Sequence, residues 1–568
     1  MVSWSSEMNF NDSSRFNTFH CLLTSRCRAS IHSLAINTGH PSLYIAFLVV
    51  LTPDPVFRPP QELLNLLLTS STLYTSLCTS SAPHLYARIF RSTFDLDING
   101  PSNDASKFTD SQLTFDLVSR YRLLRRVRRM EFSNKMMPED LRVAMQTVIE
   151  SKRVNEAHLK SAGFSEFTFS YAEQCLTKHQ IAQTHAAFDY ETNLILWLLA
   201  LTWSRDDVTK IAQETRENFL ILLRPLVLGD ARDYTIVQPI HEESSRSELC
   251  VRDGHSPKAN CQRDTTIPSA SSAAIILYFV LQEAGCTKVS PRLLFGRVVD
   301  FGDGREVPTM EDYYSMTNYR TPLPGDEHPD TGTVCNPRIS NPTRITHDPQ
   351  FFNLRQSGSN AYCSLPDVIT GLWEGVYMVS CVHMNKEASS SPSTPDFICK
   401  KFMQCSLVLF FHFGTPDNEH LIPGSIGGEV DQWTANPRDF STEMDCLTVC
   451  GWETPYEKFV SPASGECQVS RNYSQALDCL VIGRTTQDHD SAWGGFNFAG
   501  KLKRDGTIVM KRESKDSTDA GLGTWIFEGN VRYGSVFAGT WRSSNSPGSG
   551  IHGIFSLRKK VYPSQSEH

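Results

Sequence analysis

The residue types that could carry out catalysis or hold a metal are scattered along this chain. Cys446 and Cys450 have three residues between them, but no second Cys or His pair follows at zinc-site spacing. The run His489-Asp490-Ser491 contains the residue types of a hydrolase triad, yet adjacent residues cannot face one another as a triad requires. Neither common glycine-rich phosphate loop occurs, and Gly494-Gly495 precedes a predicted strand, not a helix. The sequence therefore predicts no catalytic residue, no metal site and no cofactor.

A recognition site is easier to place. Six of the nine tryptophans lie beyond residue 370, and Trp and Arg are over-represented among the residues that dominate binding energies. The candidates for a substrate pocket are Trp373, Tyr377, Arg484, Trp493, Trp525 and Trp541. The alternative is that these tryptophans fill the interior of a small barrel.

The segment around these candidates has the pattern of antiparallel strands. Apolar residues alternate on both sides of Arg504-Asp505-Gly506, which contains the Asp-Gly signal of a hairpin turn, and again around Tyr533-Gly534. Phe-x-Gly recurs at 498–500, 527–529 and 537–539. Glycines inside consecutive strands favour a meander that bends sharply, as small closed barrels do. We expect the strand at Trp373 to pair with the last strand and close the barrel.

The N-terminal half has a helical pattern that begins with three short apolar segments. The first covers 43–51, the second runs from Pro59 to Leu77 and the third opens near Pro83. Proline suits the first turn of a helix, and apolar residues four positions apart give each segment an apolar stripe. Three such helices bury too little apolar surface to be stable alone, so we expect the module to dock onto a partner.

This order of segments resembles the F-box, the helical module that attaches substrate adaptors to the Skp-type linker of cullin–RING ubiquitin ligases. The residues that match the family's motif are Pro60, Glu62, Leu63, Leu64, Leu66, Thr69, Ser70 and Leu73 in the second segment, with Leu85, Tyr86 and Ile89 in the third. By this resemblance the linker-docking residues would be Leu43, Pro60, Leu63, Leu64, Leu67 and Leu85. The alternative is a helical piece of a larger domain.

Two further likenesses concern the arrangement of the whole chain. An F-box near the N-terminus followed by a long unrelated region is similar to the F-box proteins abundant in basidiomycete, mushroom-forming fungi. The run GLWEGVY, which begins at Gly371, resembles the opening of the small β-barrel that follows the F-box in some adaptors, and more loosely that of lipocalin-type barrels.

The predicted fold class is α+β, with helices first and an antiparallel β-meander, a small lipocalin-like barrel, at the C-terminal end. The predicted regions are a poorly ordered lead-in at 1–40, the F-box-like module at 41–95, helices over 109–320 with a polar loop at 241–269, a linker at 321–360 and the barrel at 361–560.

Composition and charge narrow the class of protein. Of the 568 residues, 40% are hydrophobic and 20% are charged, which is ordinary for a soluble globular protein. A net charge of −8 gives no overall attraction to nucleic acid. The longest uncharged apolar run, 43–51, is about half of what a bilayer demands. With no signal peptide in view, the sixteen cysteines are interpreted as reduced thiols. We expect a cytoplasmic and/or nuclear protein that binds neither nucleic acid nor membrane.

Three hypotheses about function follow. The first is a non-catalytic substrate receptor of an SCF-type ubiquitin ligase, which would bind a Skp-type linker and cullin scaffold and present a protein substrate on its barrel. The second is a non-catalytic ligand-binding barrel whose helical half is a scaffold. The third is a hydrolase or transferase whose catalytic groups meet only in the folded chain.

Overall fold

The computed structural model describes the chain in eighteen stretches, and the statements below concern those residues. They are 71–95, 108–132, 137–150, 154–182, 190–228, 270–284, 319–324, 326, 361–380, 397–414, 429–433, 435–443, 446–461, 472–487, 489–490, 494–515, 524–544 and 551–560. The chain divides into two compact units, Met1–Arg122 and Leu123–His568. Leu43, Pro60, Leu63, Leu64 and Leu67, with the first segment of the F-box-like module, lie outside the described residues.

Helices form the described part of the first unit. They are α1 (Ser71–Leu77), α2 (Pro83–Thr93) and the start of α3 (Asp110–Arg129). Proline begins α2, as its missing N–H predicts. The Tyr86 hydroxyl donates to the Leu77 carbonyl at 2.7 Å, which joins α2 to α1. The Arg120 guanidinium lies over the Phe90 ring at 4.8 Å and joins α3 to α2.

The first part of the second unit is helical beyond α3. Its helices are α4 (Met137–Ile149), α5 (Val154–Ala162), α6 (Phe164–Ala182), α7 (Tyr190–Thr202), α8 (Arg205–Lys210), α9 (Gln213–Leu228) and α10 (Ala270–Ala284). Ser204 and Asp207 form a capping box at the start of α8, so side chains satisfy backbone donors there. All eight residues from Leu194 to Leu201 are buried, so α7 is enclosed on every side.

An antiparallel sheet follows two helical turns, α11 (Ala361–Ser364) and α12 (Pro366–Ile369). Its strands are β1 (Gly371–Ser380), β2 (Phe397–His412), β3 (Phe440–Glu443), β4 (Cys446–Val449), β5 (Trp452–Lys458), β6 (Asp478–Arg484), β7 (Phe496–Leu502), β8 (Thr507–Ser514), β9 (Trp525–Arg532), β10 (Val536–Ser543) and β11 (His552–Lys559).

The sheet closes into a barrel. The strands run in the order β1-β11-β10-β9-β8-β7-β6-β2, and β1 also pairs with β2. Trp373 pairs with Lys559, so the first strand meets the last as predicted. The two predicted hairpin turns are present, with positive φ at Gly506 between β7 and β8 and at Tyr533 and Gly534 between β9 and β10. The predicted α+β fold class with a C-terminal barrel is confirmed.

Glycine lets neighbouring strands approach closely where the barrel bends. Gly529 and Gly539 pair directly across β9 and β10. A Cβ atom on Gly539 would lie 2.0 Å from the Glu528 carbonyl oxygen, so no larger residue fits without moving a strand. The recurring Phe-x-Gly motif therefore marks sharply coiled strands.

One end of the barrel is closed by its own chain. The side chains of Tyr362, Leu365 and Ile369 join the interior apolar cluster. The Trp373 indole N–H donates to the Ile369 carbonyl at 2.7 Å and fixes α12 against β1. We call this the closed end.

Both outer faces of the barrel are covered. On one face, 3₁₀ turns at 430–432 and 437–439 and strands β3–β5 enclose a second apolar cluster that includes Phe410 and Trp433. On the other, the Arg532 guanidinium of β9 lies over the Trp197 ring of α7 at 5.1 Å. Thr321, at the start of the predicted linker, is buried and bonds both the Glu283 carboxylate and the Ser556 hydroxyl. Within the second unit, the helices and the barrel therefore share one packed interface.

No helix in the described part of the chain is both long enough and apolar enough to cross a lipid bilayer.

Candidate functional site: an arginine–aromatic cluster inside the barrel

The strands bring six side chains together at the end of the barrel opposite the closed end. Because neighbouring strands are antiparallel, this end holds the last residues of β1, β8 and β10 and the first residues of β7 and β9. Alternation points every second side chain inward. The inward side chains here are Tyr377, Phe496, Arg512, Trp525, Phe527 and Trp541. We call this set the arginine–aromatic cluster.

Arg512 is at the centre of the cluster. Its residue is 4% exposed. Its guanidinium carbon lies 4.0 Å from the Trp525 ring centroid, 4.2 Å from Phe496, 5.1 Å from Tyr377 and 5.5 Å from Phe527. These distances are within the range of cation–π attraction, in which ring faces stabilise a positive charge.

The charge on Arg512 is deeply desolvated. Burial lowers the pKa of its guanidinium from the ordinary value, and a hydrogen bond to the Tyr377 side chain opposes that shift. No carboxylate among the described residues forms an ion pair with it. A buried cation without an anionic partner is costly, so the site attracts negative charge.

The aromatic rings of the cluster pack against one another. Trp525 stacks on Trp541 with centroids 4.5 Å apart and an interplanar angle of 14°. Tyr377 meets both indoles edge-on, each at 5.6 Å. The Trp541 indole N–H donates to the Met378 carbonyl at 2.9 Å, which fixes that ring across β11. The geometry is thus held from β1, β9 and β10 together.

A short segment between β6 and β7 lies beside the cluster. His489 is 3% exposed, and its ring meets the Phe496 ring edge-on at 6.4 Å. Its Nδ1 atom lies 3.1 Å from the Gly494 carbonyl oxygen. Desolvation lowers the pKa of His489 to about 4. Asp490 bonds the Thr485 hydroxyl and pairs with the Lys515 ammonium, so this segment is tied to the strand ends around it.

The structure places the six sequence candidates in three settings. Tyr377, Trp525 and Trp541 belong to the cluster, and Trp525 is partly exposed. Trp373 is fully buried at the closed end, where its ring packs edge-on against Phe537 at 6.0 Å. Arg484, at the end of β6, pairs with Asn497 and is exposed. Trp493 lies outside the described residues.

Arg512, Phe496 and Phe527 were not predicted from the sequence as members of a site. A signal for Arg512 was present, because it continues the alternation of Ile508 and Met510, and both of those are interior side chains. A charged residue at the next inward position is unusual and indicates a buried cation.

Inside the barrel, the described residues form no metal cluster, and the buried thiols there are poorly suited to chemistry. Among the described residues, no set of three or more His, Cys, Asp or Glu side chains could hold a metal ion. Cys405 and Cys479 are fully buried, and burial raises the pKa of both thiols, which disfavours the reactive thiolate. The arrangement at the arginine–aromatic cluster can bind and orient a ligand.

Fold and site together define an α+β chain with a C-terminal antiparallel barrel that contains a buried arginine–aromatic cluster. No family model matches the chain, and no curated protein or solved structure matches it at a significant level.

Proposed function

We propose that this chain is a substrate-receptor subunit of an SCF-type ubiquitin ligase. The observation that carries the proposal is the proline-led order of apolar segments between residues 41 and 95, which resembles the F-box. Such an adaptor acts without catalysis, because it raises the local concentration of its substrate near the ligase. The first unit would bind the Skp-type linker, and the barrel would present the substrate.

Exposed apolar side chains on the first unit support docking there. Tyr74 on α1 is 51% exposed and Phe115 on α3 is 60% exposed. A shallow hollow of about 370 Å³ lies beside Phe115 and is also lined by Pro83 and Val118. Exposed apolar surface next to a hollow suits association with another protein. Leu85, a predicted docking residue, is 2% exposed and packs inside this unit.

Co-purification of the full chain with a Skp-type linker tests the proposal. The variants are Leu63→Asp/Leu67→Asp in the motif, Tyr74→Asp at the exposed surface, and Arg484→Gln on the barrel as the control. We expect the wild-type chain and the control to retain the linker, and the double variant to lose it. Failure of the intact chain to bind the linker would remove the adaptor role.

A second candidate function is a ligand-binding barrel whose helices are a scaffold. The observation that favours it is the arginine–aromatic cluster, since ligand sites are mostly apolar and aromatic with a few placed polar or charged groups, and Arg512 is such a group. Under this alternative, a small molecule binds to the barrel whether or not the linker does.

A further inference from the structure

The charges around the arginine–aromatic cluster leave one cation unmatched. The Lys515 ammonium is paired with Asp490, and the Glu513 carboxylate is paired with Arg438. Among the described residues, Arg512 has no carboxylate partner, and the Tyr377 ring lies beside it, with its centroid 5.1 Å from the guanidinium carbon. One buried positive charge suits one negative charge, because a second anionic group would have no buried cation of its own there.

The aromatic rings of the cluster indicate which kind of ligand would carry that negative charge. The Trp525 and Phe496 rings lie on the guanidinium at 4.0 and 4.2 Å, and both residues are partly exposed, so rings that contact Arg512 also reach solvent. A planar guanidinium can donate two parallel N–H hydrogen bonds to the two oxygens of a carboxylate. Stacked and edge-on rings suit a flat, unsaturated body.

A second cation is placed to attract such a ligand. Lys401 on β2 pairs with Tyr377 on β1. It lies two residues before Met403 and four before Cys405, so it is on the strand face whose side chains point into the barrel. Lys401 is exposed. An exposed cation at the rim and a buried one within form a gradient that favours entry of an anion.

We propose that the arginine–aromatic cluster binds a small organic acid that carries one carboxylate on a flat aromatic body. The carboxylate pairs with Arg512, and the aromatic body packs against Trp525 and Phe496. This site goes beyond the adaptor role and does not depend on linker binding. If Arg512 were only a structural plug, its removal would change stability without any effect selective for carboxylates.

Calorimetric titration of the full chain with 2-naphthoate tests the proposal. The matched neutral probe is 2-naphthamide, which has the same body without the charge. We expect wild-type protein to bind the carboxylate at least tenfold more tightly than the amide. Arg512→Met should abolish that preference, and Lys401→Gln should weaken carboxylate binding severalfold, more so at low salt. Arg484→Met, which removes an exposed arginine from β6, should leave both affinities unchanged.

The comparison of the two probes on wild-type protein does not depend on any variant folding. Equal affinity for naphthoate and naphthamide, or no binding of naphthoate by the wild-type chain, would overturn the proposal. A folded Arg512→Met variant that keeps the full carboxylate preference would overturn it as well. The Leu63→Asp/Leu67→Asp variant should still bind naphthoate, so failure of the linker proposal and failure of this one give different results.

Discussion

Lowering the pH should destabilise the second unit through His489. This side chain is 3% exposed and lies beside the Phe496 ring, so protonation would place a charge in an apolar setting. Desolvation is the largest cause of its low pKa, about 4, and the nearby positive charges of Arg512 and Lys515 lower it further. The Gly494 carbonyl and the Asp490 carboxylate act in the opposite direction.

Acid lowers the free energy of unfolding because the unfolded chain takes up a proton on His489 at a higher pH than the folded chain does. An unfolded histidine has a pKa of about 6.5, so below that pH the unfolded chain gains a proton that the folded chain does not take up until about pH 4. The contribution of neutral His489 to the free energy of unfolding is therefore complete above about pH 6.5 and is lost as the pH falls toward 4. Linkage between these two pKa values gives a loss of about 2 kcal/mol between pH 7 and pH 5, and about 3 kcal/mol by pH 4.

Urea unfolding of the full chain, followed by tryptophan fluorescence, measures this loss. Eight of the nine tryptophans, all but Trp4, lie in the second unit. The matched variant is His489→Asn, whose amide can donate to the Gly494 carbonyl but does not titrate. We expect the stability difference between wild type and variant to change by about 2 kcal/mol from pH 7 to pH 5, with wild type losing more. If the free energies of unfolding of wild type and His489→Asn changed equally with pH, the assignment of a buried neutral histidine would be refuted.

Three other perturbations have definite outcomes, each read from urea midpoints of the full chain. Arg512→Met should change the free energy of unfolding by less than about 1 kcal/mol, because the lost cation–π attraction is offset by the avoided cost of burying a charge. A loss above about 3 kcal/mol would show that Arg512 has a structural role. Gly553→Ala should cost about 3 kcal/mol or more, because a Cβ atom would lie 1.8 Å from the Met378 carbonyl oxygen, and a near-neutral result would contradict that close approach. Tyr86→Phe should cost about 1 kcal/mol in the first unit by removing the 2.7 Å bond to the Leu77 carbonyl, whereas unchanged stability would mean that water replaces it.

Part of the cluster was predictable because strand alternation is a local property. Tyr377, Trp525 and Trp541 were chosen from the sequence as binding candidates, and the structure brings their rings together. Trp373 has the same residue type and the same Gly-x-Trp context as Trp525. It lies at the opposite end of the barrel because its strand enters there. Residue type could not separate the two positions, since the end at which a side chain lies depends on strand direction.

The sequence by itself determined the helical N-terminal half, the β-meander, its hairpin turns and the pairing of the first strand with the last. These features follow from side-chain periodicity and from glycine in turns, which act over a few residues. Only the tertiary structure decided that Arg512 lies among rings from β1, β7 and β9. Alternation states that a side chain points inward, but the stagger between strands of a closed barrel decides which inward side chains meet.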